Sequence, residues 1–183
     1  MTFSPAQFAR RYPWLAWILV LAVFGGAVGA GVLGGAWMVI CREGRCPSIA
    51  SLEAYVPSQT SKVYAADGRF ITELGLERRT LVSLSQIPKH VRDAVVMTED
   101  VRFYSHNGID YRRILGSALA NVRAGRYAQG FSTITMQLAR NVFPDRISRE
   151  KALMRKLKES RVARAIEQRY SKDKILELYL NQV

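Results

Sequence analysis

Hydrophobic and polar positions divide the chain into two unlike parts. No charged residue occurs from Tyr12 to Cys41, and this apolar run exceeds the roughly 20 residues that a helix needs to cross a bilayer. The pattern predicts a transmembrane helix over residues 14–40, with Trp14 and Trp17 near one end and Trp37 near the other as interfacial anchors. The run is too long for the core of a cleaved signal peptide, about 7–15 residues. Bulky Ile40 before Cys41 does not suit lipoprotein processing. Gly25-x-x-x-Gly29 and Gly31-x-x-x-Gly35 are either a helix-packing face or the ordinary abundance of small residues in membrane spans.

Beyond the apolar run, Pro47, Pro57 and several serines mark residues 41–60 as a linker. Two short strand-like runs, residues 61–65 and 69–74, flank Asp67-Gly68, which predicts a β-hairpin with positive φ in its turn. Residues 81–87 are ambiguous in pattern. From Pro88, which suits a first helical turn, Val91, Ala94, Val95 and Thr98 share a face running up to Glu99. A second helix is predicted from Asp110 as N-cap to Gly125 as stop, with Ile114, Leu115, Ala118, Leu119 and Val122 as its buried stripe. After a polar, glycine-bounded loop at residues 125–130, Ser132 is the expected N-cap of a helix bearing Ile134, Leu138 and Val142 and ending at Pro144. Further helices are expected from about Ser148 to Tyr170, and from Ser171 onward with Ile175, Leu176, Tyr179 and Leu180. The outline is a head at 1–13, a span at 14–40, a linker at 41–60 and a mainly α domain with a small hairpin at 61–183.

Charge narrows the choice of partner. The formal net charge is +12, and only Arg10 and Arg11 precede the apolar run. Such a balance suits an anionic phospholipid surface, a pyrophosphate-bearing lipid or nucleic acid, and composition does not choose among them. Arg10 and Arg11 before the span are matched by Arg42 and Arg45 after it, so orientation rests on the short head, which holds nothing foldable and places the N-terminus inside. Cys41 and Cys46, with four residues between them, either close a small disulfide loop on an oxidising side or stay as two thiols; no histidine lies near enough for a metal site.

Candidate chemistry begins where the first helix ends. Glu99 and Asp100 close an apolar helical run and are followed by Phe103, His106 and Gly108, an arrangement that delivers an acid or base to a cleft edge. Three blocks follow: Gly130-Phe-Ser-Thr-Ile-Thr-Met-Gln137, Arg155-Lys-Leu-Lys-Glu159 and Lys174-Ile-Leu-Glu-Leu-Tyr-Leu-Asn181. In this order and at these distances the four blocks resemble the peptidoglycan glycosyltransferase domain (glycosyltransferase family 51) of class A penicillin-binding proteins and monofunctional transglycosylases. The resemblance covers roughly residues 55–183 and implies a lysozyme-like, mainly α fold. It implies polymerisation of lipid II into glycan strands, with inversion at the donor anomeric carbon and release of polyprenyl pyrophosphate. The implied place is the bacterial cytoplasmic membrane, with the main domain on the extracytoplasmic side. The implied partners are lipid II, the nascent glycan strand, the membrane and other cell-wall synthesis proteins, and not nucleic acid. Because the family's domain continues beyond the position of Val183, a C-terminally incomplete domain is expected, poorly active alone and with Tyr179 and Leu180 short of partners.

The resemblance also assigns roles. Glu99 matches the first glutamate of the family's Glu-Asp-x-x-Phe-x-x-His-x-Gly pattern and becomes the base, with Val95, Val96 and Met97 as an apolar setting; Asp100 and His106 complete the pattern and count among the substrate-binding residues, His106 supporting the loop. Glu159 is the second carboxylate. Lys151, Arg155 and Glu159 are spaced by four, with Lys156 adjacent, which reads either as a solvated face of i,i+4 pairs or as a phosphate-holding face. Ser132, Thr133 and Gln137 would line the cleft, and Arg140 would face phosphate. Met136 departs from the family, which has the first of two glutamines there. No cofactor is required; any ion would be a hard cation, Mg²⁺ or Mn²⁺, bridging Glu159 and pyrophosphate.

Two rivals use some of the same residues. A lysozyme-like glycan-cleaving enzyme also places an acid at a helix end, but it has no pyrophosphate to hold, so the Lys151–Arg155 face discriminates. A membrane-anchored, non-catalytic binder of nucleic acid or another anionic polymer would use the +12 charge and tolerate loss of Glu99.

Overall fold

The computed structural model of the chain describes residues 13–44, 46–48, 50–53, 55–57, 59–75, 79–147 and 152–183. The chain divides into two compact units, one up to Arg42 and one from Glu43 to Val183. In the first, helix α1 (Pro13–Val39) has 27 residues, about 40 Å at 1.5 Å per residue, which is ample for a bilayer. Among the described residues it is the helix long and apolar enough to cross a membrane, with a mean hydropathy of 2.2. A Cβ added at Gly25, Gly29, Gly31 or Gly35 would meet no atom within 4 Å, so the small-residue face has no packing partner among the described residues. Cys41 and Cys46 are each disulfide-bonded, so neither is a free thiol.

The second unit is mainly α. It comprises α2 (Ala50–Glu53), a hairpin of β1 (Ser61–Tyr64) and β2 (Phe70–Leu74), then α3 (Lys89–Glu99), α4 (Tyr111–Ala124), α5 (Ile134–Val142), α6 (Pro144–Ile147), α7 (Ala152–Arg169) and α8 (Lys172–Leu180). In the antiparallel hairpin, Val63 faces Thr72 and Tyr64 faces Phe70, with an irregularity between Val63 and Tyr64. Its turn is closed by the Gly68 N–H on the Ala65 carbonyl at 2.9 Å. Gly68 supplies the positive φ, at +83°.

Helix α5 is the axis of the core. Six of its nine residues are buried: Ile134, Thr135, Leu138, Ala139 and Val142 share one face, and Met136 lies at its edge. Ile134, Leu138, Ala139 and Val142 meet Val162 and Ile166 of α7 and Ile175, Leu176 and Tyr179 of α8 in a single cluster. Each fully buried Leu or Ile contributes about 1.5–3 kcal/mol relative to exposure, so this contact anchors the domain. The N-cap is Thr133, one residue beyond the expected Ser132; its Oγ1 accepts the Met136 N–H at 3.2 Å and donates to the Gly108 carbonyl at 2.7 Å. Met136 is 1% exposed, so the departure from the family's double glutamine falls in the core and not on a cleft wall.

Four expectations change. Leu52 is 2% exposed and joins the core, and the Tyr55 hydroxyl bonds to Gln182, so part of the stretch read as linker is folded into the domain. On α3 it is Val96 that is buried, while Val91 and Thr98 are exposed. On α4 the expected stripe faces outward, with Leu115 73% and Val122 79% exposed and Ser117 buried instead, because periodicity finds an apolar face without saying what covers it. Tyr179 is 4% exposed and packed in the core, so it finds its partners within the described chain.

The expected caps of α4 hold. Asp110 accepts the Arg113 N–H at 2.9 Å and is paired bidentately by Arg102, and Gly125 ends α4 at φ +60°. Burial pushes the Asp110 carboxyl up, but the Arg113 N–H, Arg102 and His106 outweigh it and hold the group below its ordinary value. Ser171 caps α8 through the Lys174 N–H. The far end of α8 is tied back to the segment before α3. The Asn181 side-chain amide exchanges two hydrogen bonds with the Val82 backbone, at 2.8 and 2.9 Å, and Glu177 accepts the Leu84 N–H at 2.9 Å. The polar residues of the last block are therefore fasteners.

Candidate active site

Helix α3 stops at Glu99 because Asp100, at φ −156° and ψ 74°, leaves the helical region. The Asp100 side chain is fully buried, and its Oδ2 accepts the Ile134 N–H of α5 at 3.1 Å and the His106 Nε2–H at 2.9 Å. The His106 Nδ1 accepts the Gly108 N–H at 3.2 Å, which assigns the ring proton to Nε2. Gly108 sits at φ +85°, and a Cβ there would come within 2.9 Å of the Ala163 backbone, so no other residue fits. Phe103 is fully buried beneath the loop, with the Lys172 ammonium 4.4 Å from its ring centroid. Asp100, Phe103, His106 and Gly108 together brace the end of α3 against α5 and α7.

Glu99 is the residue that this brace presents. It is half-buried, its backbone carbonyl accepts from the Arg113 guanidinium, and its Oε2 accepts from the Gln137 Nε2–H at 2.7 Å. The Gln137 Oε1 in turn accepts from the Tyr179 hydroxyl at 3.2 Å. Three helices thus converge on one carboxylate.

A second carboxylate lies beside a group of cations. Glu159 on α7 is fully buried, with Lys156 Nζ 2.5 Å from Oε2, and Arg155 Nε and Arg140 Nη1 at 3.6 and 3.7 Å from Oε1. Lys156 also donates to Ser132 Oγ at 2.6 Å. The side chains of Arg140 and Arg155 are each 34% exposed and that of Lys156 21%, so the cations reach solvent while the carboxylate lies beneath them. Three cations around one carboxylate leave a net positive surface. Gln137 and Arg140, three residues apart on α5, lie on neighbouring positions of one helix side and join the two clusters.

Residues 67–183, which hold all four blocks and both carboxylates, match the transglycosylase family. The chain belongs to that family. It is 48% identical over 137 residues to penicillin-binding protein 1A of Aquifex aeolicus, covering 75% of this chain and 18% of that protein. It is 43% identical over 167 residues to penicillin-binding protein 1A of Escherichia coli, covering 91% and 19% respectively. Against penicillin-binding protein 1A/1B of Bacillus subtilis the identity is 42% over 153 residues, covering 84% and 16%. The chain spans about a fifth of the length of these relatives.

Within this transglycosylase domain the candidate residues separate by role. Glu99 and Gln137 meet directly, as do Ser132, Lys156 and Glu159, with Arg140 and Arg155 close by. Asp100 and Thr133 are fully buried and hydrogen-bonded within the fold, and His106 is bonded to Asp100 and Gly108. Lys151 lies outside the described residues. Tyr179 and Arg113 were not anticipated: one reads as core and the other as a helix-surface charge, and their partners are 42 and 14 residues away in sequence. A cavity of about 620 Å³ opens at the His106 loop, lined by Arg102, Asn107 and Arg164, but by neither Glu99 nor Glu159, so side-chain chemistry and not cavity size locates the site.

A divalent cation does not suit Glu159, since both of its oxygens face cationic side chains. Among the described residues no group of three or more His, Cys, Asp or Glu could hold a metal.

Proposed function

We propose that this domain polymerises lipid II into glycan strands. A sugar hydroxyl attacks the donor's anomeric carbon from the face opposite the leaving group. The new C–O bond forms, the hydroxyl proton passes to Glu99, and the bond to the pyrophosphate breaks with inversion, its electrons leaving on the polyprenyl pyrophosphate. A positioned carboxylate contributes about 10²–10⁴-fold to such a step. Arg140, Arg155 and Lys156 meet the charge that develops on the leaving group, and Glu159 holds these cations in place.

The observation that carries this reading is the pairing, through α5, of a presented carboxylate with a solvent-reaching cluster of net positive charge. A glycan hydrolase needs the first and has no use for the second. Three further features favour a membrane-borne lipid substrate: the apolar helix α1, the outward stripe of Leu115, Leu119 and Val122 on α4 with Arg112 and Arg123 on the same helix, and disulfide-bonded cysteines, which suit an extracytoplasmic, oxidising side.

Alanine at Arg155 or Lys156 removes a charge-assisted hydrogen bond to phosphate worth roughly 1.5–3 kcal/mol, so lipid II turnover is expected to fall about tenfold or more. Alanine at Lys62 or Lys89, both exposed elsewhere on the domain, should leave turnover within about twofold. Equal losses at all four positions, with a steep salt dependence common to them, would instead indicate a non-specific polyanion binder.

A further inference from the structure

We infer that Tyr179 is a positioning residue for glycosyl transfer, its hydroxyl orienting the Gln137 amide and that amide orienting the Glu99 carboxylate. The inference rests on the reading of Glu99 as the base. Hydrogen-bond chemistry allows only one polarity along this chain. An ionised carboxylate can only accept, so the group that Gln137 presents to Glu99 at 2.7 Å must be its Nε2–H. The amide oxygen then points the other way, and at 3.2 Å from the Tyr179 oxygen it must receive the phenolic proton.

Without that proton the amide oxygen loses its donor, and the choice between the two amide orientations rests on the Glu99 carboxylate. The flipped one sets the Gln137 oxygen against a carboxylate oxygen. With the chain intact, Gln137 holds one carboxylate oxygen, and the other is presented to an acceptor hydroxyl.

The anchor is rigid. Tyr179 is 4% exposed, on α8, in the same core cluster as Leu138 and Ala139 of α5. Burial raises its pKa first and the Glu99 charge raises it further, with Arg140 opposing, so the phenol remains protonated at neutral pH and keeps donating. A tyrosine needed only to fill the core would be matched by phenylalanine, which keeps the ring and loses the oxygen.

The test uses Tyr179→Phe, Gln137→Met and the double variant in the full-length, membrane-anchored protein, with Glu99→Gln alongside. Steady-state lipid II polymerisation and thermal melting are measured for each. Tyr179→Phe is expected to lower kcat about fivefold to tenfold with KM within about twofold of the parent, since it disturbs the base and not donor binding. Gln137→Met should lose at least as much. Adding Tyr179→Phe to it should change kcat by less than about twofold, because residues acting through one another are not additive. A purely structural role would lower the melting temperature without separating kcat from KM. The inference is overturned by parent-like kcat in Tyr179→Phe, by equal fold losses in the two backgrounds, or by a raised KM with kcat kept. A parent-like Glu99→Gln would overturn the base assignment itself. An inactive Glu99→Gln beside a parent-like Tyr179→Phe would remove only the role given to Tyr179.

Discussion

Glu99→Gln should reduce lipid II polymerisation by at least about 10²-fold while the protein still inserts and folds. The amide keeps the size and shape of the carboxyl group but cannot accept the hydroxyl proton as the new bond forms. The fold has little to lose from the change. The Glu99 contact with Arg113 uses its backbone carbonyl, and the end of α3 is braced by Asp100, not by the Glu99 side chain. Thermal melting near that of the parent, together with retained donor binding, would place the loss in the chemical step. Polymerisation within about tenfold of the parent would reject Glu99 as the base.

Glu159→Ala is expected to damage stability and turnover together. Its carboxylate is fully buried beneath Arg140, Arg155 and Lys156, and removing it leaves three neighbouring cations to repel one another. Breaking a fully buried ion pair costs about 3–5 kcal/mol, but these cations are a fifth to a third exposed and can rehydrate, so about 2–3 kcal/mol is the expected loss. Turnover should fall as well, because Lys156 then loses its carboxylate partner, keeping Ser132 Oγ and the Phe131 ring, and Arg155 loses the carboxylate beside it. Glu159→Gln retains an acceptor for Lys156 and should recover part of the stability. Urea unfolding and lipid II turnover of the two variants would check this. A loss under about 0.5 kcal/mol with parent turnover would contradict the organising role of Glu159.

How far the site was legible in sequence depended on the distance between partners. Asp110, Gly125 and Ser171 could be assigned as helix ends because a cap is made within a few residues of itself. The Asp67-Gly68 hairpin was legible for the same reason. Arg155, Lys156 and Glu159 fall within one turn or so of α7, so their clustering followed from helical spacing. Leu115 and Val122 on α4 obey the period of a buried stripe and yet face outward, since a pattern does not name its cover. The contacts between Asp100 and Ile134, Gln137 and Glu99, and Tyr179 and Gln137 join segments 34, 38 and 42 residues apart. Only the packing of α5 against its neighbours brings them together. Thr133 in place of Ser132 as N-cap is a difference of one residue with a chemical consequence, since it frees the Ser132 hydroxyl for Lys156.

Product analysis of a lipid II reaction separates glycosyl transfer from a lipid pyrophosphate from glycan hydrolysis. The linkage formed should have the anomeric configuration opposite to that of the donor, with a polyprenyl pyrophosphate released for each bond made. Retained configuration, or new reducing ends from preformed glycan without pyrophosphate release, would contradict it.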